Sequence, residues 1–162
     1  MKKMLTKGGH QRLVDEFDEL SKKERPKVVK GVADAAAEGD RSENAEYIYG
    51  KKKLREIDKR LSYLSGLLKD AIIVDPASLR GTAVQFGSTV VIEDEDGNQK
   101  QWTIVGEGEA DVRSGSISYR APVARALLGK EPGDFVTVSR PAGEVDYEVV
   151  KVMHLAVPVK VA

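Results

Sequence analysis

Cysteine is absent from the 162-residue chain, which excludes disulfide bonds and thiolate metal sites. Aromatic residues are scarce, with one Trp and three Phe, and the formal net charge at pH 7 is zero. No stretch approaches the roughly 18 consecutive apolar residues of a membrane-spanning helix. Residues 1–9 have the basic character of a signal peptide but lack its apolar core. These absences favour a soluble, cytoplasmic protein that does not contact a membrane.

Charged residues are abundant, at 32% of the chain compared with about 25% in a typical globular domain. Residues 1–75 contain 17 basic and 14 acidic side chains, whereas residues 76–162 contain 9 and 12. This composition predicts an element with a large exposed surface, such as a pair of helices with solvent on both sides. The local basic excess makes the first part of the chain better suited to a polyanion.

Residues 10–71 have helical periodicity. Leu54, Ile57, Leu61, Leu64 and Leu68 form an a/d stripe, which requires an apolar partner helix. Pro26 is expected to kink or locally break the first helix, because it removes a backbone donor. Gly39 supplies a turn, after which Asp40 can start a second helix.

Two helices joined by so short a turn run antiparallel. Each would contain about 30 residues and span roughly 45 Å. The tip near residues 38–44 is therefore expected to project far from its base. A monomer is expected, because the hairpin can bury its own apolar stripe.

Short β-branched segments replace this pattern after residue 72, with Gly and Asp between them. One helix is expected at residues 122–128, with Pro122 in its first turn and Gly129 at its end. Asp96-Gly97 is typical of a hairpin turn, and Pro76 is a candidate hinge. The predicted strands are 82–86, 89–92, 102–105, 115–118, 135–138 and 147–152.

The fold class is therefore predicted to be α+β, with an N-terminal long antiparallel coiled-coil hairpin before a mixed β-sheet domain that contains one helix. The domains are expected at residues 1–75 and 76–157, followed by a tail at 158–162.

Two carboxylates, Asp40 and Glu43, lie in the expected turn. Asp40-Arg41-Ser42-Glu43 has the form of a capping box, in which both acids serve the start of a helix. The i, i+3 spacing also permits both carboxylates to turn outward from one face. Mg²⁺ requires only one or two carboxylates plus water, so the pair would form a half-site that another molecule completes. Both interpretations remain open at this stage.

Six of the ten residues from 51 to 60 are basic. They could form a solvated face with i, i+4 pairs, such as Glu56 with Arg60. They could equally form a track for a phosphate backbone. Tyr47 and Tyr49 precede this stretch, where they could pack against the hairpin or stack on an unpaired base.

Several of these motifs together resemble the Gre transcription elongation factors, and the resemblance extends over nearly the whole chain. Arg41-Ser42 and the basic stretch after it are similar to the GreB branch rather than to GreA. The motifs that carry the resemblance are 39–47, 51–58, 24–26, 121–131 and 133–134.

The resemblance implies a C-terminal domain similar to the FK506-binding proteins, docked at the rim of the secondary channel of bacterial RNA polymerase, on its largest subunit. The hairpin would enter that channel and meet the 3′ end of backtracked nascent RNA. Asp40 and Glu43 would act as catalytic and metal-binding residues, holding a Mg²⁺ that belongs to the polymerase active centre. The factor would be no enzyme itself and would have no cofactor of its own. Its contact with the DNA of the transcription complex could be direct or indirect, and the sequence leaves this open.

The resemblance also assigns supporting residues. Asn44 and Tyr47 would support the tip, and Arg120-Ala121-Pro122 would dock on polymerase. Family members often have an acidic–Ser or other polar–Ser pair before this proline, so an acidic contact becomes basic here. The residues expected to attract RNA are Lys52, Lys53, Arg55, Lys59 and Arg60.

Other functions fit parts of the sequence. An inhibitor could use a similar hairpin to block the same channel, although a blocker needs no metal half-site. A prolyl isomerase would need an aromatic pocket, for which Phe86, Trp102, Tyr119, Phe135 and Tyr147 are the few candidates. A coiled-coil scaffold or chaperone would be insensitive to charge at positions 40 and 43.

Overall fold

The computed structural model describes residues 3–39 and 44–155. Four α-helices and seven strands occur in these ranges. The helices are α1 (Lys7–Glu19), α2 (Arg25–Ala37), α3 (Ala45–Leu68) and α4 (Pro122–Leu127). The strands are β1 (Met4–Thr6), β2 (Ile72–Val74), β3 (Thr89–Glu93), β4 (Gln99–Val105), β5 (Ser116–Ser118), β6 (Phe135–Arg140) and β7 (Gly143–Met153). The predicted fold class, a helical hairpin followed by a mixed sheet, is confirmed.

The chain divides into two compact units. Arg12–Lys69 form the helical unit, and the described parts of Met1–Gln11 and Asp70–Ala162 form the sheet unit. A single boundary at residue 75 does not reproduce this division. The reason is that β1 pairs in parallel with β2, which places the first residues of the chain in the sheet unit.

The helical unit has the apolar seam that the leucine spacing predicts. Ile57, Leu64 and Leu67 of α3 are buried, as is Ala35 of α2. At Gly50 the helices approach so closely that a Cβ atom would lie 2.7 Å from Val32 Cγ2. Within the described ranges, no helix is both long and apolar enough to cross a membrane.

Pro26 coincides with a change of helix type, and the chain stays helical on both sides of it instead of breaking. A π-helical turn at Leu20–Glu24 separates α1 from α2, and the Arg25 N–H donates to the Leu20 carbonyl, five residues back. Pro26 follows in the first turn of α2, where its missing N–H matters least. The helix therefore changes its hydrogen-bond pattern just before the proline.

The sheet unit contains a five-stranded sheet in the order β5-β4-β3-β7-β6, in which only the β4–β5 pair is parallel. Its apolar face packs on α4, whose Ala124 and Leu127 are fully buried. Gly97 forms the β3–β4 turn with a φ of 82°, as Asp96-Gly97 predicts.

Two predictions for this unit are wrong. Residues 82–86 form no strand, because Gly81 and Gly87 both adopt a φ of 93° and turn the chain at either end. Pro76 is no hinge, because it is buried inside the sheet unit, whose second segment starts at Asp70.

A buried carboxylate organises the start of the chain. Glu109 accepts the backbone N–H groups of Thr6 at 2.9 Å and of Gly106 at 2.7 Å, and also the Thr6 hydroxyl. The Thr6 hydroxyl oxygen in turn accepts the Gly9 N–H at 3.1 Å, in the first turn of α1. A Cβ atom at Gly9 would lie 1.7 Å from the Glu109 carboxylate, so only glycine fits there.

Candidate functional site

Asn44 joins the two helices at the tip of the hairpin. Its side-chain oxygen accepts the Tyr47 N–H at 3.1 Å, which caps the start of α3. Its amide nitrogen donates to the Ala35 carbonyl at 2.8 Å, near the end of α2. One side chain therefore satisfies a donor of one helix and an acceptor of the other, which suits the predicted role of Asn44 in supporting the tip.

The predicted acidic pair, Asp40 and Glu43, lies outside the described residues. Their chain positions fall between the end of α2 at Ala37 and the cap of α3 at Asn44. The prediction that Asp40 starts the second helix is wrong, because that helix begins at Ala45 and has Asn44 as its N-cap. The capping-box interpretation of Asp40-Arg41-Ser42-Glu43 falls on the same residues outside the described ranges and stays a prediction.

The basic residues of α3 occupy two different environments. Lys52, Arg55 and Lys59 are exposed and are spaced three and four residues apart, so they share one face of the helix. Lys53 is half-buried. Glu56 is also exposed and lies three residues before Lys59, so this side of the helix carries one acid beside the three cations. We call Lys52, Arg55 and Lys59 the basic face.

Arg60 points instead to the first helix. Its guanidinium forms two hydrogen bonds to Glu16, at 2.7 and 2.9 Å, and lies 5.3 Å from the centre of the Tyr63 ring. The hydrogen bond from Arg60 lowers the pKa of Glu16. The expected pair of Glu56 with Arg60 is wrong, because the partner of Arg60 comes from α1.

The two tyrosines near the tip differ in exposure. Tyr47 is half-buried and belongs to the capped first turn of α3, whereas Tyr49 is 69% exposed. Ile48, between them, is 52% exposed. Tyr47 therefore suits a packing role, and Tyr49 is free to meet another molecule.

The loop before α4 holds its arginine in place. The Arg120 guanidinium lies 5.5 Å from the centre of the buried Tyr119 ring and 3.4 Å from the Glu107 carboxylate. The Tyr119 hydroxyl, and then the charge of Glu107, raise the pKa of Arg120. Ala121 occupies the N-cap position of α4 without a side-chain hydrogen bond, and Pro122 follows in the first turn.

The arrangement of aromatic residues disfavours an isomerase pocket. Phe86, Tyr119 and Tyr147 are buried in the core, and the Phe86 and Tyr119 rings meet edge to face at 5.4 Å. Phe135, by contrast, is 72% exposed. No group of three or more metal-ligating side chains occurs in residues 3–39 and 44–155.

Comparison with known families covers both units. Residues 3–73 match the family described as "Transcription elongation factor, N-terminal", and residues 79–154 match "Transcription elongation factor, GreA/GreB, C-term". A GreA from Anaeromyxobacter sp. (strain K) is 47% identical over 146 residues, which is 90% of this chain and 88% of that protein. A GreB from Pseudomonas aeruginosa is 46% identical over 155 residues, 96% of this chain and 92% of that protein.

These two identities are nearly equal, so they do not separate the GreA branch from the GreB branch. The prediction of a GreB-like chain accordingly stays a prediction. The family itself follows from the two matches, which span the helical hairpin and the mixed sheet. The chain belongs to the GreA/GreB family of transcription elongation factors.

Proposed function

We propose that this protein binds bacterial RNA polymerase, inserts its helical hairpin into the secondary channel, and stimulates cleavage of the 3′ end of backtracked RNA. The observation that carries this proposal is the family match across both units, combined with the position of Asp40 and Glu43 between the two hairpin helices. Cleavage leaves a new 3′ end, from which elongation resumes. The factor is GreB-like, cytoplasmic and monomeric.

The chemistry of the two acids suits this role. Carboxylate oxygens are the ligands that Mg²⁺ prefers, and one or two of them suffice when water and another molecule supply the rest. A second metal ion would help to activate water and to stabilise the charge that develops during phosphodiester hydrolysis. Asp40 and Glu43 would contribute ligands, and the polymerase would contribute the remaining active site. The factor itself is then not an enzyme and has no resident cofactor.

Asn44 provides two hydrogen bonds at the tip of the hairpin. It caps α3 and bonds to α2, so both of these hydrogen bonds at the start of the second helix come from one neutral side chain. Asp40→Asn and Glu43→Gln keep the size of each acid and remove its charge, and Asn caps a helix about as well as Asp. Circular dichroism of the two variants therefore separates a loss of the hairpin from a loss of metal ligands.

The basic face of α3 would attract the extruded RNA. Lys52, Arg55 and Lys59 are exposed on one side of the helix, and clustered cations supply affinity for phosphates without regard to base sequence. Lys53 and Arg60 would contribute less, because Lys53 is half-buried and Arg60 is paired with Glu16. Exposed Tyr49 is suited to stack on an unpaired base near the tip.

Docking on polymerase is assigned to Arg120-Ala121-Pro122 at the start of α4. Glu107 and Tyr119 hold the Arg120 guanidinium, so it would bind with little further loss of side-chain entropy. A cation at this place selects an acidic or carbonyl-rich surface on the partner. Exchange of Arg120 for Glu should therefore weaken docking without affecting the hairpin.

The test uses a backtracked complex of purified bacterial RNA polymerase that carries 3′-labelled RNA, with Mg²⁺ present. Wild type is compared with Asp40→Asn, Glu43→Gln and the matched control Glu38→Gln, an exposed acid next to the same segment. We expect wild type and the control to release short 3′ fragments. The two variants should cleave at least about tenfold more slowly, since even the loss of an outer-shell partner of a metal has an effect of that size.

The other outcomes identify the alternatives. Equal cleavage by all four proteins would contradict the role of the acids in metal binding. Binding without cleavage by wild type would identify an inhibitor of the channel. Absence of binding would contradict polymerase as the partner, and turnover of a proline peptide would then be the next assay.

A further inference from the structure

A row of four side chains crosses the sheet on one face. The pairing places Gln99 of β4 opposite Glu93 of β3, Glu93 opposite Glu148 of β7, and Glu148 opposite Phe135 of β6. Residues paired in this way project from the same face of a sheet, with Cβ atoms about 4.5–5.5 Å apart. Two glutamates are therefore direct neighbours, with a phenylalanine beside them.

This arrangement of the two glutamates is unfavourable in the isolated protein. Like charges directly opposite each other destabilise a sheet, and both side chains are half-buried, which weakens their screening by water. The Gln99 amide donates to Glu93 at 3.3 Å. The Glu148 carboxylate has no hydrogen-bond or ion-pair partner anywhere in residues 3–39 and 44–155. Stability within the sheet therefore does not explain why these acids are paired.

Phe135, the neighbour of Glu148, is also unusual, because its large apolar side chain is exposed to solvent. It is 72% exposed, the highest value among the large apolar residues of the described chain, and it stands on β6, an edge strand. It borders a cleft of about 220 Å³ that contains five carboxylates and no Lys or Arg. The residues that line this cleft, called the Phe135 cleft below, are Glu93, Asp94, Glu95, Phe135, Asp146, Tyr147 and Glu148.

Two of the five carboxylates are already used by the fold. Asp94 accepts the backbone N–H groups of Asp96 and Asn98 within the β3–β4 turn, and these bonds lower its pKa. Asp146 accepts the Thr137 hydroxyl at 2.6 Å. Glu148 lies beside Phe135, whereas Glu93, which accepts the single bond from Gln99, lies on the far side of Glu148. Both line the cleft, together with Glu95.

We propose that the Phe135 cleft binds an arginine-bearing segment of a partner polypeptide. A guanidinium can stack on the exposed ring while its forked donors reach the two neighbouring carboxylates, which a compact ammonium cannot do at the same time. A nucleic acid does not fit, because its phosphates would meet five carboxylates. We assign this segment to RNA polymerase, an assignment that rests on the proposed function. The cleft would be a second contact besides the Arg120-Ala121-Pro122 loop.

The test measures affinity for core RNA polymerase by competition with a fluorescently labelled wild-type protein. We expect Phe135→Ser and Glu148→Lys each to weaken binding by about tenfold, as buried anchors of an interface do. Glu148→Gln should weaken binding less and reduce its dependence on salt, because one attractive charge is removed. Each variant should unfold at the same temperature as wild type or higher, since none removes a buried contact.

Two matched controls come from the same unit. Val112→Ser removes an exposed apolar side chain at the other end of the sheet, next to β5, and Glu144→Lys reverses a charge on β7 outside the cleft. Neither should change binding. If wild type binds and cleaves but the cleft variants bind equally well, this contact is refuted while the proposed function stands. If Glu148→Lys binds more tightly, the cleft meets a polyanion and the assignment is wrong. If wild type does not bind polymerase, the proposed function fails first.

Discussion

Arg60 of α3 and Glu16 of α1 form a two-point ion pair within the helical unit, with Nε–Oε2 and Nη2–Oε1 distances of 2.7 and 2.9 Å. Arg25 and Asp58 form a second pair of the same kind, with a shortest distance of 2.7 Å. Each pair joins residues that are more than 30 positions apart in the sequence. The forked guanidinium accepts only a narrow range of geometries, so these pairs specify the register of the antiparallel helices.

Replacement of Arg60 by alanine should destabilise the protein, whereas replacement of Lys59 should not. Side chains of the Arg60–Glu16 pair are 44% and 38% exposed, so we expect a loss of about 0.5–1 kcal/mol in the free energy of unfolding. Lys59→Ala should reduce affinity for RNA instead, because Lys59 belongs to the basic face. Urea unfolding followed by helical circular dichroism, and filter binding of single-stranded RNA, separate the two effects. Equal stability of both variants would show that the ion pair contributes nothing in solution.

The same pairs make the helical unit sensitive to acid. The hydrogen bond from Arg60 lowers the pKa of Glu16 from its ordinary 4.5, and that from Arg25 lowers the pKa of Asp58 from 3.8. A carboxylate with a lowered pKa in the folded state stabilises that state above its ordinary pKa, and this contribution is lost as the pH falls through the lowered value. Stability should therefore be level near neutral pH and decline below about pH 4.5. Arg60→Ala should flatten this decline in a urea series, and an unchanged slope would contradict the assignment to Glu16.

Substitutions of Asn44 separate its two hydrogen bonds. Asn44→Asp keeps the oxygen that caps α3 but loses the donor to Ala35, whereas Asn44→Ala loses both. We expect Asn44→Ala to lower the free energy of unfolding by about 1–2 kcal/mol and Asn44→Asp by roughly half as much. Thermal unfolding measures the order of stability of wild type, Asn44→Asp and Asn44→Ala. Wild-type stability of Asn44→Ala would contradict the role of Asn44 at the tip.

Ala121 offers a stabilising substitution. It is the N-cap of α4 and provides no side-chain acceptor, although Ser is among the residues that cap best. Ala121→Ser should raise the free energy of unfolding by about 0.5–1 kcal/mol. Ala121→Gly is the control, because it lacks the hydroxyl acceptor and should bring a smaller gain. A lower unfolding temperature for Ala121→Ser would mean that the hydroxyl does not reach the helix amides.

Local sequence signals account for much of the architecture. The leucine spacing of α3 predicts its buried stripe, Pro122 and Gly129 bracket α4, and Asp96-Gly97 marks the β3–β4 turn. Each of these signals acts within a few residues, through helix periodicity or the backbone conformation that one residue permits. Asp40 predicts a helix start four residues too early, because Asp and Asn can both cap a helix and the chain uses Asn44, which also bonds to Ala35.

The sequence by itself determined the class of fold, the family and the identity of the acidic and basic residues, because these depend on periodicity and on motifs read along the chain. Only the tertiary structure decided which of those residues are available. It paired Arg60 with Glu16, buried Glu109 against Thr6, joined β1 to β2, and set Glu148 beside Phe135. The first three of these contacts join positions far apart in the chain, and the fourth depends on the register in which β6 and β7 pair. They form because burial and hydrogen bonding are satisfied over the whole unit at once.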